Sequence, residues 1–86
     1  MKYKIFFSKP AQKQLSSIPK AALKKVAQKI EKLSSNPLPP GHEKMAGMDN
    51  CYRIRQGDYR IIYTIQDKEL IVLVLKIGHR REVYRQ

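Results

Sequence analysis

The chain has 86 residues, of which 42% are hydrophobic and 29% charged. This length and composition predict one folded domain, residues 1–86, and exclude a disordered segment. Lysine and arginine number 18 against 7 acidic residues, and the resulting net charge of +11 favours a polyanionic partner such as nucleic acid, with an acidic protein as the alternative.

Cysteine content and hydropathy point to the compartment. The single cysteine, Cys51, excludes an internal disulfide and is expected to be a small buried residue rather than a nucleophile. No apolar run approaches the roughly 18 residues of a membrane-spanning helix, and residues 1–7 are too short for a secretory signal. We therefore expect a soluble, cytoplasmic protein with no membrane partner.

The first elements are a strand and a helix. Residues Lys2–Phe7 alternate in polarity, which is typical of a strand. Ser8 is placed to cap a helix with Pro10 in its first turn, ending near Ile18 because Pro19 follows. The inner stripe of this helix is predicted to be Ala11, Leu15 and Ile18.

A second helix is predicted over Lys20–Ser35, because apolar residues recur there at spacings of three and four. The predicted buried positions are Leu23, Val26, Ala27, Ile30 and Leu33. The lysines on the remaining surface are Lys20, Lys24, Lys25, Lys29 and Lys32. The first three are candidate RNA contacts, although a solvated helix face explains them equally well.

The rest of the chain predicts a sheet. Residues Asn36–Gly47 carry three prolines and two glycines and are typical of an irregular loop. The strands expected after it are Cys51–Arg55, Tyr59–Gln66 and Leu70–Ile77, joined by short turns at residues 56–58 and 67–68. The prediction is an α+β fold: an N-terminal strand, a two-helix hairpin packed on one face of an antiparallel sheet of three further strands, and a short basic C-terminal tail.

Strand alternation predicts an anion site. If Ile54 and its apolar neighbours face the helices, then Arg53, Arg55 and Arg60 share the opposite, uncovered face. Three guanidinium groups on adjacent strands can bind one anion. Asp58, in the turn, can neutralise only one of them, and the alternative is a simply solvated sheet face.

The tail IGHRREVYRQ carries further candidate groups. Gly78 is expected to permit a bend, after which His79, Arg80, Arg81 and Tyr84 follow closely, and Arg81 is a candidate RNA contact. His79 could transfer protons near neutral pH, and Tyr84 could stack on a base, although either could be structural. Together with the arginines, these groups suit RNA cleavage, in which the 2′-hydroxyl attacks the adjacent phosphate and fixed cations stabilise the transition state.

No cofactor or metal is expected for this reaction. The histidines, cysteine and carboxylates lack ligand spacing, since His42 and Glu43 are adjacent within a loop. A glycine-rich phosphate loop, a GxSxG elbow and an aromatic RNA-reading motif are absent from the sequence as well. A metal-dependent nuclease is therefore disfavoured.

The order of these features resembles the RelE-type toxins of the RelE/ParE superfamily. The resemblance covers nearly the whole chain and is carried by the GM-x-x-CYRIR-x-G-x-YRI-x-Y core and the closing GHRREVY. It implies a ribosome-dependent endoribonuclease that cuts messenger RNA in the ribosomal A site. It also implies a cognate RelB-like antitoxin that binds the toxin in a hetero-oligomer.

The resemblance implies roles for individual residues. Arg53, Arg55, Arg60, Arg80 and Tyr84 occupy the positions of the family's catalytic groups, and His79 joins them as a candidate. The best-studied form has lysines where Arg53 and Arg55 stand, and arginine cannot give up its proton to act as a base. The base would then be His79 or Glu82, unless the arginines promote the attack by charge alone.

Two other functions are compatible with the sequence. One is a ParE-like poison of DNA gyrase, which needs no nuclease centre. The other is a non-catalytic basic module that binds nucleic acid.

Overall fold

The computed structural model describes residues 2–79. Along the chain, a first strand is followed by two helices and then by the remaining strands. They are β1 (Lys4–Phe7), α1 (Lys9–Ser16), α2 (Lys20–Glu31), a 3₁₀ turn (Lys32–Ser34), β2 (Glu43–Lys44), β3 (Cys51–Gln56), β4 (Tyr59–Gln66) and β5 (Ile71–His79). The five strands form one sheet in the order β1-β5-β4-β3-β2, with β1 parallel to β5 and the other pairs antiparallel. The α+β prediction is confirmed, but the sheet is mixed and has five strands because β1 joins it and β2 forms within the predicted loop.

Helix α1 begins as predicted and ends two residues early. The Ser8 side chain accepts a hydrogen bond from the Ala11 amide at 3.2 Å, which satisfies one of the unpaired amides of the first turn. The helix ends at Ser16 rather than Ile18 because Pro19 disfavours helical geometry in the residue before it.

Helix α2 buries most of its predicted stripe. Val26 and Ile30 are buried and Leu23 is half-buried, whereas Ala27 is exposed. The helix ends at Glu31 rather than at the predicted Ser35, and the buried Leu33 lies in the 3₁₀ turn that follows. Ala27 borders an open crevice with Ile5 and Phe7 of β1, the edge strand of the sheet, and therefore stays exposed. None of the described helices is long and apolar enough to cross a bilayer.

The main core lies between the helices and one face of the sheet. Its buried members are Ala11, Ile18, Val26, Ile30, Leu33, Ile54, Ile61, Tyr63, Ile65, Val72, Val74 and Ile77. This confirms the predicted alternation in β3 and β4, because Ile54 pairs with Ile61 across these strands. The other face is therefore the one that carries Arg53 and Arg60.

That second face is not fully uncovered, contrary to the prediction. Cys51 and Ile62 are buried there, with Met45 and Leu75 packed against them. Burial raises the pKa of the Cys51 thiol, as expected for a packing residue. The loop before β3 thus covers part of this face and leaves the end nearest the Gly57 turn to the arginines.

The turn at Gly57 sets the register of the arginines. Gln56 pairs with Tyr59, so the turn has only two residues, and Gly57 has a φ of 60°. Glycine adopts this left-handed conformation without the steric cost of a side chain. The two-residue turn places Arg55 directly opposite Arg60.

A hydrogen bond from the side chain of Tyr63 connects the core to the proline-rich loop and should contribute to stability. The buried Tyr63 hydroxyl donates a 2.6 Å hydrogen bond to the carbonyl oxygen of Pro37, and burial raises its pKa. We expect Tyr63→Phe to lower the free energy of unfolding by about 1 to 2 kcal/mol, since the Pro37 carbonyl loses its partner. Urea denaturation measures the loss, and an unchanged midpoint would show that the bond adds no stability.

Candidate functional site

Three arginines converge on one face of the sheet near the Gly57 turn. Arg53 pairs with Ile62 and Arg55 with Arg60 across β3 and β4, so all three side chains leave the same face. Diagonal neighbours in such a ladder lie roughly 7 to 8 Å apart. We call these three residues the arginine cluster.

The members of the arginine cluster differ in burial. Arg55 is exposed, the Arg53 side chain is 20% exposed, and Arg60 is only 4% exposed. Arg60 Nη1 donates to the carbonyl oxygen of Tyr59 at 3.4 Å. Since guanidinium remains charged even when buried, the cluster keeps its positive charge in a region of reduced solvent.

Glu43 belongs to this site, although its proline-rich surroundings in the sequence are typical of a loop. It lies on β2 opposite Arg53, whose Nη2 and Nε donate to its Oε1 at 2.7 and 3.1 Å. The hydrogen bond and charge of Arg53 lower the pKa of the Glu43 carboxyl, and Arg55 and Arg60 lower it further. Within residues 2–79, the acid that forms an ion pair with the cluster is therefore Glu43, whereas the sequence pattern points to Asp58.

The signal that could have revealed Glu43 is weak. Only the alternating triplet HEK, between Gly41 and Met45, suggests a short strand. Its partner strand follows six residues later, after a second turn, and local pattern does not specify that pairing.

His79 lies on the other face of the sheet from the arginine cluster. It pairs with Tyr59, and the two rings meet edge to face with centroids 5.7 Å apart. The strand continues through Gly78, which pairs with Arg60, so the bend predicted there is absent. His79 thus borders a crevice on the helix side, beside Lys13.

A β-bulge explains the position of His79. Ile62 pairs with Lys76 but Tyr63 pairs with Val74, so β5 carries one extra residue, Leu75. Such an insertion reverses which side of the sheet the following residues face. Simple alternation from Val74 would have put His79 on the arginine face.

The predicted lysine contacts form a separate surface. Lys20, Lys24 and Lys25 are exposed on α2, on the helix side of the sheet. Lys25 borders a crevice that it shares with Tyr59 and His79. The sheet therefore separates these lysines from the arginine cluster.

The remaining residues considered for the site are in the C-terminal tail, or are His42 and other possible metal ligands. Arg80, Arg81, Glu82 and Tyr84 are outside the described residues. Within residues 2–79, no three His, Cys, Asp or Glu side chains form a group suited to a metal ion. His42 packs its ring against Tyr52, and its Nδ1 lies 2.8 Å from the Pro39 carbonyl oxygen.

The geometry suits binding of a phosphodiester. Guanidinium groups form paired hydrogen bonds with phosphate oxygens, and Arg55 is open to solvent on the face where Arg53 and Arg60 also lie. Cations held in place by a sheet stabilise negative charge that develops during a reaction.

Comparisons with known proteins consistently match toxins. A family model described as the ParE toxin of a type II toxin–antitoxin system, parDE, matches residues 5–84. Toxin RelG of Mycobacterium tuberculosis is 30% identical over 87 residues, which cover 100% of both chains. The mRNA interferase toxin RelE of Escherichia coli is 28% identical over 90 residues, covering 100% of this chain and 94% of that protein.

A solved structure matches in fold as well. The archaeal RelE of the RelE–RelB complex from Pyrococcus horikoshii superposes with a TM-score of 0.81 at 32% identity, covering 93% of this chain and 97% of that chain.

Proposed function

We infer that this chain, which belongs to the ParE toxin family of type II toxin–antitoxin systems, is a RelE-type toxin that cleaves messenger RNA in the ribosomal A site. The observation that carries this proposal is the arginine cluster, three guanidinium groups on one sheet face in a protein related to an mRNA interferase. The residues of the main core face the helices, and none of the three arginines is among them.

The proposed reaction needs no metal ion. The 2′-hydroxyl of the nucleotide before the scissile bond attacks the phosphorus, and negative charge grows on the non-bridging oxygens. Arg53, Arg55 and Arg60 bind those oxygens more strongly in the transition state than in the ground state, which accelerates the step. The product ends are a 2′,3′-cyclic phosphate and a 5′-hydroxyl.

Two residues of the tail complete the proposed site. By position in the family motif, Arg80 adds a further cation and Tyr84 stacks on a base of the message. His79 faces the helix side, so a phosphate on the arginine face is beyond its direct reach. We therefore assign His79 and Arg81 to contacts with RNA outside the scissile bond.

The positive net charge of the chain and its similarity to toxins solved with antitoxins suggest its binding partners. We propose that residues 1–86 act as one toxin domain in the cytoplasm and are neutralised by an acidic RelB-like antitoxin, as in the RelE–RelB complex of P. horikoshii. The lysine surface of α2, with Lys20, Lys24 and Lys25, offers such a partner or ribosomal RNA a positive face.

An in vitro translation mixture tests the function. Adding the purified chain should arrest translation and cut the message within codons on ribosomes, leaving 2′,3′-cyclic phosphate ends, while the same message without ribosomes stays intact. A message with a single 2′-deoxynucleotide at the mapped cut site should resist cleavage there, because it lacks the attacking group.

Two results would each indicate a different function. Intact message together with gyrase stalled on cut DNA would identify a gyrase poison. Salt-sensitive RNA binding with no cyclic phosphate product would identify a non-catalytic binding module.

A further inference from the structure

We propose that Glu43 is the general base of the cleavage reaction and removes the proton from the attacking 2′-hydroxyl; this role rests on the proposed function. β2 places Glu43 directly opposite Arg53, so its carboxylate lies on the same face as the arginine cluster. It is therefore beside the groups that would hold the scissile phosphate.

The carboxylate has one anchored oxygen and one open oxygen. Oε1 accepts from both Nη2 and Nε of Arg53, at 2.7 and 3.1 Å. Among residues 2–79, no side chain or backbone amide donates to Oε2, and the Glu43 side chain is 63% exposed. A substrate hydroxyl can reach Oε2 while Arg53 holds the carboxylate in position.

The arginine cluster cannot supply this base itself. A guanidinium group does not give up its proton in a protein, so it cannot act as a base. His79 is on the opposite face because of the bulge at Leu75. Within residues 2–79, the ion pair at the cluster is made by Glu43, so Glu43 is the described group that can both lie near the phosphate and accept a proton.

Substrate binding makes this carboxylate a better base. In the free protein, Arg53 above all, with Arg55 and Arg60, keeps the Glu43 pKa below its usual range, which ensures that the carboxylate is ionised. A bound phosphate neutralises part of the charge on these arginines. The Glu43 pKa then rises towards its ordinary value at the moment when proton transfer is needed.

In the proposed step, one bond to phosphorus forms as another breaks, and each proton has a donor and an acceptor. The 2′-oxygen gives its proton to Oε2 of Glu43 and its electron pair to phosphorus, forming the 2′-O–P bond. The P–O5′ bond breaks, and its electron pair leaves with the 5′-oxygen, which takes a proton from water. Glu43 returns its proton to solvent after the products leave.

The test is Glu43→Gln in single-turnover cleavage on ribosomes carrying a defined message. We expect the cleavage rate to fall about 10² to 10⁴-fold, while binding to ribosomes carrying the 2′-deoxy message stays equal or becomes tighter, because a negative charge leaves the cluster. The residual rate should rise about tenfold per pH unit, since hydroxide must then remove the proton. Glu43→Asp should retain part of the activity.

Glu69→Gln is the matched control. It makes the same change of charge at an exposed turn residue beyond the far end of β4, and the cleavage rate should stay within a factor of two of the unsubstituted chain.

Three results would overturn the role of Glu43. Cleavage by Glu43→Gln at the unsubstituted rate excludes it while leaving the proposed function intact. A cleavage rate of Glu43→Gln that falls but keeps the pH dependence of the unsubstituted chain shows that Glu43 only orients Arg53. Absence of cleavage by the unsubstituted chain overturns the proposed function and this role together.

Discussion

Arg55→Gln is expected to reduce ribosome-dependent cleavage about 10² to 10³-fold, the loss typical of removing one fixed group that stabilises transition-state charge. Arg55 is exposed and faces Arg60 directly across β3 and β4. Removing one of two like charges at such a pair should leave the free energy of unfolding unchanged or raise it by about 0.5 kcal/mol. Activity and stability should therefore move independently, as they do for residues selected for function.

The measurement pairs single-turnover cleavage with urea denaturation of the same preparation. Lys68→Gln is the control, because it removes the same charge from an exposed turn residue at the opposite end of β4. A similar loss of cleavage in both variants would mean that net charge matters and position does not. Full cleavage by Arg55→Gln would remove Arg55 from the site.

Ile61→Ala and Ile62→Ala should differ in their effects on stability, although the residues are adjacent in β4. Ile61 is fully buried in the main core between sheet and helices, whereas Ile62 lies in the small cluster around Cys51 on the arginine face. We expect the first substitution to lower the free energy of unfolding by about 3 to 5 kcal/mol and the second by about 2 kcal/mol.

Urea denaturation compares the two variants, with equal slopes required for a direct comparison. The larger loss at Ile61 should bring a chain of this size close to its unfolding threshold at 37 °C. A loss at Ile62 equal to that at Ile61 would show that the loop before β3 covers the arginine face as firmly as the helices cover the other.

Several parts of the site could be predicted because they depend on local rules. Period-2 alternation separates Arg53 and Arg55 from Ile54 within one strand, and the Gly57 turn joins that strand to the next with little freedom of register. The shared face of Arg53, Arg55 and Arg60 follows from these two facts. The cap at Ser8 was equally predictable because it needs only neighbouring residues.

Other parts depended on contacts between distant segments. The Glu43–Arg53 pair requires a two-residue strand to form inside a proline-rich loop, and among the described strands its partner is β3. The triplet HEK is too short for local sequence to distinguish this strand from the irregular residues around it. Local sequence instead points to Asp58, the carboxylate in the turn beside Arg60, as a partner for one arginine.

The amino-acid sequence by itself determined the α+β fold, the helix-facing core of β3 and β4 and the common face of the arginine cluster, because periodicity and turn chemistry act over a few residues. Tertiary structure alone decided that β1 lies parallel to β5, that Glu43 joins the cluster and that His79 leaves it. The reason is register: one extra residue at Leu75 reverses the face of everything after it in β5, and only pairing with β4 reveals where that residue is accommodated.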